Sequence, residues 1–272
     1  MLRETWALTA RELKHWYRVK IQVFMTLIQP IVWLGLFGQA FNIGTLLPPQ
    51  TVPLFFSGAP DYFSFMAIGM LAVNALFTCM FSGMSIVWDR RFGFLNKLKV
   101  APIPRGAVPI SRILATVIRS TIQVSIVLVI ALAFQYVPGL TGLTLKEGFG
   151  IVDLAGMFVV LFLLSTAFAS LFTTIALAVE NQETLFGVIN LLNLPLMFAS
   201  AALFPTAMMP DWLRAVADYN PLTWAADAMR QFAFVGTSPI HSLTYDILGL
   251  LVVAVLLMGA SVVVSRKLLS NR

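Results

Sequence analysis

Residues 88–112 read WDRRFGFLNKLKVAPIPRGAVPISR, a basic island between two long apolar runs. Arg90, Arg91, Lys97, Lys99, Arg105 and Arg112 stand there against a single acid, Asp89. The first half alternates charge with bulk. Phe92, Leu95 and Leu98 recur at helical spacing on one face, with Arg91 and Lys99 pointing elsewhere. Pro102 and Pro104 stop that helix, because proline removes a donor and clashes with the preceding turn. The island is therefore expected to hold a short amphipathic helix between membrane spans on the cytoplasmic side. Such charges also orient membrane proteins and can lay a helix on lipid, so the island alone leaves both roles open. The chain offers no separate soluble basic domain to form a groove or platform, which argues against nucleic acid as a partner.

The 272-residue chain as a whole is 59% hydrophobic and only 11% charged, with mean hydropathy +0.87. The apolar residues come in blocks of membrane-spanning length, so a soluble core is excluded. The single cysteine, Cys79, lies inside an apolar run, which predicts neither an internal disulfide nor a metal cluster. No cleavable signal is expected, because the first apolar block is long enough to span and no small-residue cleavage site follows it.

These blocks predict an all-α integral membrane protein. Residues 1–20 form an amphipathic interfacial helix, and residues 21–272 a domain of six spans, at 21–41, 62–88, 113–136, 152–179, 184–204 and 247–265. In the first segment Leu2, Trp6, Leu13 and Tyr17 trace one face and Arg11, Lys14 and Arg18 another. The first span would reach roughly 31 Å as a helix, close to the hydrocarbon thickness, with a kink expected at Pro30. Fourteen of the eighteen lysines and arginines fall in the N-terminal segment, the island and the C-terminal end. Lys146, Arg214 and Arg230 fall on the other side, and Arg119 lies within a span. That asymmetry puts both ends of the chain on the cytoplasmic side of the cell membrane.

Residues 204–245 are too long and too apolar for a plain outer loop. Asp211 can cap one short helix, and Asn220-Pro221 can start another that ends before Gly236. Both are too short and polar to span, and are expected to lie in the outer interface or to re-enter it. Within the spans, Asn74, Arg119, Asn190, Asn193 and Pro195 are the candidate pathway or interface residues, since amides and charges at depth need partners. For Arg119 the alternatives are a substrate or subunit contact, snorkelling, and pairing with a nearby acid such as Glu180. Thr166, Ser170, Thr173 and Thr174 make a small hydroxylated face suited to helix packing.

The string FPTAMMPDWLRAVADYNPLTWAADAMRQFAFVG at residues 204–236 resembles the signature of the type-2 ABC exporter permeases. Its matching positions include Asn220, Pro221, Trp224, Asp227 and Arg230. The island resembles that family's loop after the second span, through Asp89, Arg90, Gly93, Leu98 and Pro102, while Arg91 stands where an acid is common. Gln29-Pro30 in the first span also fits. The resemblance implies a half-transporter that pairs with a second copy or a homologue and with two ATPase subunits. It makes Asp89, Arg90, Arg91, Phe92, Gly93, Leu95, Leu98 and Pro102 the ATPase-coupling residues. ATP and Mg would be held by the partner, and no cofactor or metal by this chain. The sequence contains no G-x-x-x-x-G-K followed by Ser or Thr, so ATP chemistry by that route belongs elsewhere. Drugs, lipids, polyketides and lipid-linked glycans are the substrate classes implied. An integral-membrane enzyme and a non-transporting assembly subunit are the alternatives. The former would need a nucleophile with a base, or metal ligands, and His15 and His241 both lie outside the spans. No catalytic residue is expected.

Overall fold

A computed structural model describes residues 2–41, 48, 51–91, 104, 106–179, 181–236 and 239–270. Every regular element among them is helical: α1 (Leu2–Arg18), α2 (Lys20–Ala40), α3 (Val52–Phe55), α4 (Tyr62–Arg91), α5 (Ala107–Ala133), α6 (Ile151–Ala178), α7 (Gln182–Phe198), α8 (Asp211–Asp218), α9 (Pro221–Ala233) and α10 (Leu243–Ser270), with short 3-10 turns at Phe134–Tyr136 and Thr206–Met208.

Helix α4 is the axis of the molecule. It packs against α2, α5, α6, α7 and α9. In its most apolar stretch 94% of the residues are buried inside the protein, against 17% for α10. Helix α10 instead turns Leu248, Leu251, Val252, Val255 and Leu256 outward, as a lipid-facing helix must. Small residues let the central helices close on one another. At Gly83 an added Cβ would stand 3.0 Å from the Phe172 carbonyl oxygen of α6. Hydroxyl pairs cross the neighbouring seams, Ser82 of α4 with Thr116 of α5 and Ser120 of α5 with Ser165 of α6.

Among the described residues, four segments are long and apolar enough to cross a membrane: Tyr62–Val87, Ala107–Tyr136, Ile151–Ala178 and Leu243–Lys267. They coincide with the expected second, third, fourth and sixth spans, although α5 begins six residues before position 113. Pro109 is accommodated in its first turn, where a missing N–H costs nothing. The expected first span corresponds to α2, which contains Pro30 and is apolar over Leu27–Ala40.

The expected fifth span is shorter than its apolar block. α7 stops at Phe198, three residues after the internal Pro195, rather than at 204. Its 17 residues reach about 25 Å. The following residues, Ser200 to Leu203, are buried outside any helix, and two of their carbonyls serve the site described below.

Helix α1 packs one stripe of its surface inward. Thr5, Thr9, Glu12 and Trp16 are buried, whereas Trp6 and Tyr17 are 60% and 75% exposed. The polar stripe grips α5, where the Thr9 hydroxyl donates to the Ser111 carbonyl. The aromatic stripe is left outward, where it can meet lipid headgroups.

Candidate functional site

Two buried polar clusters lie at opposite ends of α4. One gathers around Ser85 and the other around Phe65, twenty residues apart, hence about 30 Å along the helix.

At the Ser85 end, Glu12 of α1 accepts from Arg112 at 3.1 Å and from Arg119 at 3.4 Å, both on α5. Arg11 adds a bond at 2.9 Å, and Arg112 also donates to the Ser85 hydroxyl at 2.6 Å. The side chains of Arg112, Arg119 and Glu12 are 6%, 6% and 9% exposed. Glu180 lies outside the described residues, and Arg119 is buried and paired with an acid. Its partner comes from the far N-terminus. Together these bonds fasten α1 to the entry of α4 and α5, the helices that flank the basic island.

At the Phe65 end, α9 is inserted between α4, α6 and α10, and Leu222 through Arg230 are all buried. Asn220 caps α9 by accepting from the Leu222 N–H. Its amide also donates to the Leu196 and Ala199 carbonyls at 2.8 and 2.7 Å, satisfying the end of α7. Pro221 takes the first turn. Trp224 is 9% exposed and donates through Nε1 to the Asp218 carbonyl. Helix α8, by contrast, leaves Trp212, Val216 and the adjoining Tyr219 exposed, so it is α8 that presents aromatic surface.

Arg230 is fully buried. It donates to the carbonyls of Ala201 (2.8 Å), Ala202 (2.8 Å) and Phe65 (3.0 Å), and its guanidinium lies 3.6 Å over the Phe65 ring. The planar fork binds three carbonyls from two helix ends at once, a geometry lysine cannot reproduce. Gly69 makes the approach possible, because an added Cβ would fall 1.7 Å from the Ala202 oxygen. Asp227, one turn before Arg230, accepts instead from the Ile240 and His241 N–H groups at 2.9 and 3.0 Å. Burial pushes the Asp227 carboxyl up from its ordinary range, while those N–H bonds and the nearby Arg230 charge pull it down.

The candidate residues within the spans do not converge. Asn74 is buried in α4, with its carbonyl taken by Thr78. Asn193 is buried in α7, whereas Asn190 and Pro195 are exposed and Asn190 bonds its own helix at Phe186. The hydroxyls of Thr166, Ser170 and Thr174 bond carbonyls one turn back within α6. Of the island, α4 carries Asp89, Arg90 and Arg91 in its last turn. Phe92, Gly93, Leu95, Leu98 and Pro102 lie outside the described residues. Glu12, Gly69 and Asp246 were not singled out by sequence. The available signal for Glu12 was an acid inside a basic segment facing Arg119 in a span.

This architecture defines a helical integral membrane protein braced by buried arginines at both ends of a central helix. The model of the ABC-2 type transporter family matches residues 3–234. The chain belongs to that family. It is 31% identical over 233 residues to the putative transport permease ycf38 of Cyanophora paradoxa, covering 84% of this chain and 73% of that one. It is 28% identical over 230 residues to the probable doxorubicin resistance ABC transporter permease protein DrrC of Mycobacterium tuberculosis, covering 84% and 76%. It is 24% identical over 209 residues to the daunorubicin resistance ABC transporter permease protein DrrB1 of Streptomyces coeruleorubidus, covering 77% and 66%.

Proposed function

We propose that this chain is the permease subunit of an ATP-driven exporter that moves an amphipathic, drug-like or lipid-like substrate outward. ATP and Mg are held by two separate ATPase subunits, and a second copy or a homologue completes the pathway. The observation that carries the reading is the family match over residues 3–234, which takes in both the basic island and the α9 string. The relatives named for doxorubicin and daunorubicin resistance favour an amphipathic cargo.

Six crossings suit this reading, with α2 and α7 as the two beyond the four long apolar segments. α2 has 21 residues, and both helices carry outward apolar faces, Phe24, Val32 and Leu36 on one and Phe186, Leu191 and Leu194 on the other. Those faces are available to lipid or to the second subunit. With both termini in the cytoplasm, as the charge asymmetry demands, α4 runs from the Arg230 cluster outside to the island inside. It is continuous for 30 residues, about 45 Å. A push on the island would therefore reach the outer end through one rigid rod.

A cysteine at Thr141 should be labelled by an impermeant reagent applied to intact cells, and one at Lys97 should not. Outside labelling at Lys97 would invert the topology and remove the ATPase contact with it.

Coupling has its own test. Truncating Phe92 or Leu95 to alanine should weaken association with the ATPase subunit by about 1–3 kcal/mol, the range for an apolar anchor in a partner groove. Leu95→Asp should abolish both co-purification of that subunit and substrate-stimulated ATP hydrolysis, leaving membrane insertion intact. If both survive Leu95→Asp, the island serves orientation alone.

A further inference from the structure

Where α9 meets the start of α10, the fold collects three metal-ligand side chains that the chain keeps apart: Asp227, His241 and Asp246. A ligand atom from each lies within 4.8 Å of those of the other two. Both carboxylates have 0% relative exposure, and His241 is 19% exposed at its side chain.

Their hydrogen bonds are divided in a particular way. Asp227 Oδ2 receives the Ile240 and His241 N–H groups, and the Gln231 amide at 3.4 Å. Asp246 Oδ2 receives the same Gln231 amide at 3.3 Å, and that amide also donates to the His241 carbonyl at 3.1 Å. The other oxygen of each carboxylate, Oδ1, is buried with no hydrogen-bond partner, and so is His241 Nδ1. Nδ1 stands 3.5 Å from Asp246 Oδ1. The imidazole is held in place by stacking on Tyr245, with ring centroids 4.6 Å apart.

Each carboxylate thus has one oxygen oriented by protein donors and one left open, which is how outer bonds position a metal-ligating carboxylate. Two buried carboxylates side by side repel unless a cation or a shared proton intervenes. Arg230, whose charge acts on Asp227, gives its N–H bonds to the Ala201, Ala202 and Phe65 carbonyls instead.

We propose that Asp227, His241 and Asp246 form a binding site for a divalent transition-metal ion of the zinc type. Two oxygens and one nitrogen make a three-ligand set that leaves a fourth tetrahedral position to water. Ligands about 2.1 Å from zinc stand about 3.4 Å apart, so the Nδ1 to Oδ1 spacing already suits the ion, and side-chain adjustments of about 1 Å close the rest. A bound ion would neutralise the acid pair and tie the re-entrant α9 to the first turn of α10. The inference does not depend on the substrate or on transport.

The experiment uses full-length protein without a polyhistidine tag, stripped with chelator and re-equilibrated with Zn2+. About one zinc per chain should remain after gel filtration, by elemental mass spectrometry. Zinc at about one hundred times its dissociation constant should raise the thermal midpoint by about 5 °C or more. His241→Ala, a change at a partly exposed linker position, should lose both the ion and the shift, and Asp246→Asn should do the same. His15→Gln, at an exposed histidine far from the cluster, should keep them. The proposal is overturned if wild type retains no zinc and shows no shift, or if His241→Ala keeps both.

Discussion

Replacing Glu12 with glutamine is expected to cost about 3–5 kcal/mol of stability, the range for leaving buried charge uncompensated. Arg112 and Arg119 are each 6% exposed and both donate to Glu12 Oε2, so the substitution takes from two buried cations the carboxylate they share. The loss should appear as a lowered thermal midpoint in detergent and as early proteolytic release of α1. Removing one stranded cation as well, in Glu12→Gln with Arg119→Met, should recover at least about 1 kcal/mol, because the sites are directly coupled. A Glu12→Gln protein with wild-type stability, or a double variant no better than the single, would show that α1 is held by apolar packing rather than by this cluster.

The same cluster shows where sequence reading stops. The apolar blocks at 62–88 and 152–179 could be placed to within a few residues, because continuous apolar runs and turn residues fix helices that cross lipid. Which face of α1 turns inward could not. A helical wheel separates apolar from polar, but in a membrane the apolar side faces lipid as readily as protein, and here Thr9 and Glu12 took the inside. The partner of Arg119 was hidden for a different reason. Glu12 is 107 positions away, and only the packing of α1 on α5 brings it close.

The α9 string was legible as a pair of short non-spanning helices from Asn220-Pro221 and Gly236. That it packs inward, with Arg230 as its most deeply buried large side chain, follows from Ala201 and Ala202 being left outside α7 once Pro195 shortens that helix. Their carbonyls need donors, and Arg230 supplies them. The gathering of His241 and Asp246 around Asp227 is a tertiary event of the same kind. No spacing rule announces it.

Gly69→Ala is expected to be strongly disruptive. Its Cβ would stand 1.7 Å from the Ala202 oxygen and 2.6 Å from the Ala202 carbon, both backbone atoms that cannot swing aside. Relief requires α4 to withdraw from the residues after α7. That movement breaks the geometry in which Arg230 holds Phe65 of α4 and Ala201 and Ala202 together. The cost should exceed about 3 kcal/mol, since backbone overlap adds to the stranding of a buried guanidinium. Little monodisperse protein should be recovered, and what remains should be cleaved rapidly between α7 and α9. Gly187→Ala is the matched control on the exposed side of α7, where an added Cβ meets nothing within 4 Å. Removing a mid-helix glycine there should be neutral or stabilise by about 0.5–1 kcal/mol. Equal behaviour of the two variants would mean that Ala202 does not lie against Gly69, and that Arg230 is not what closes the Phe65 end of α4.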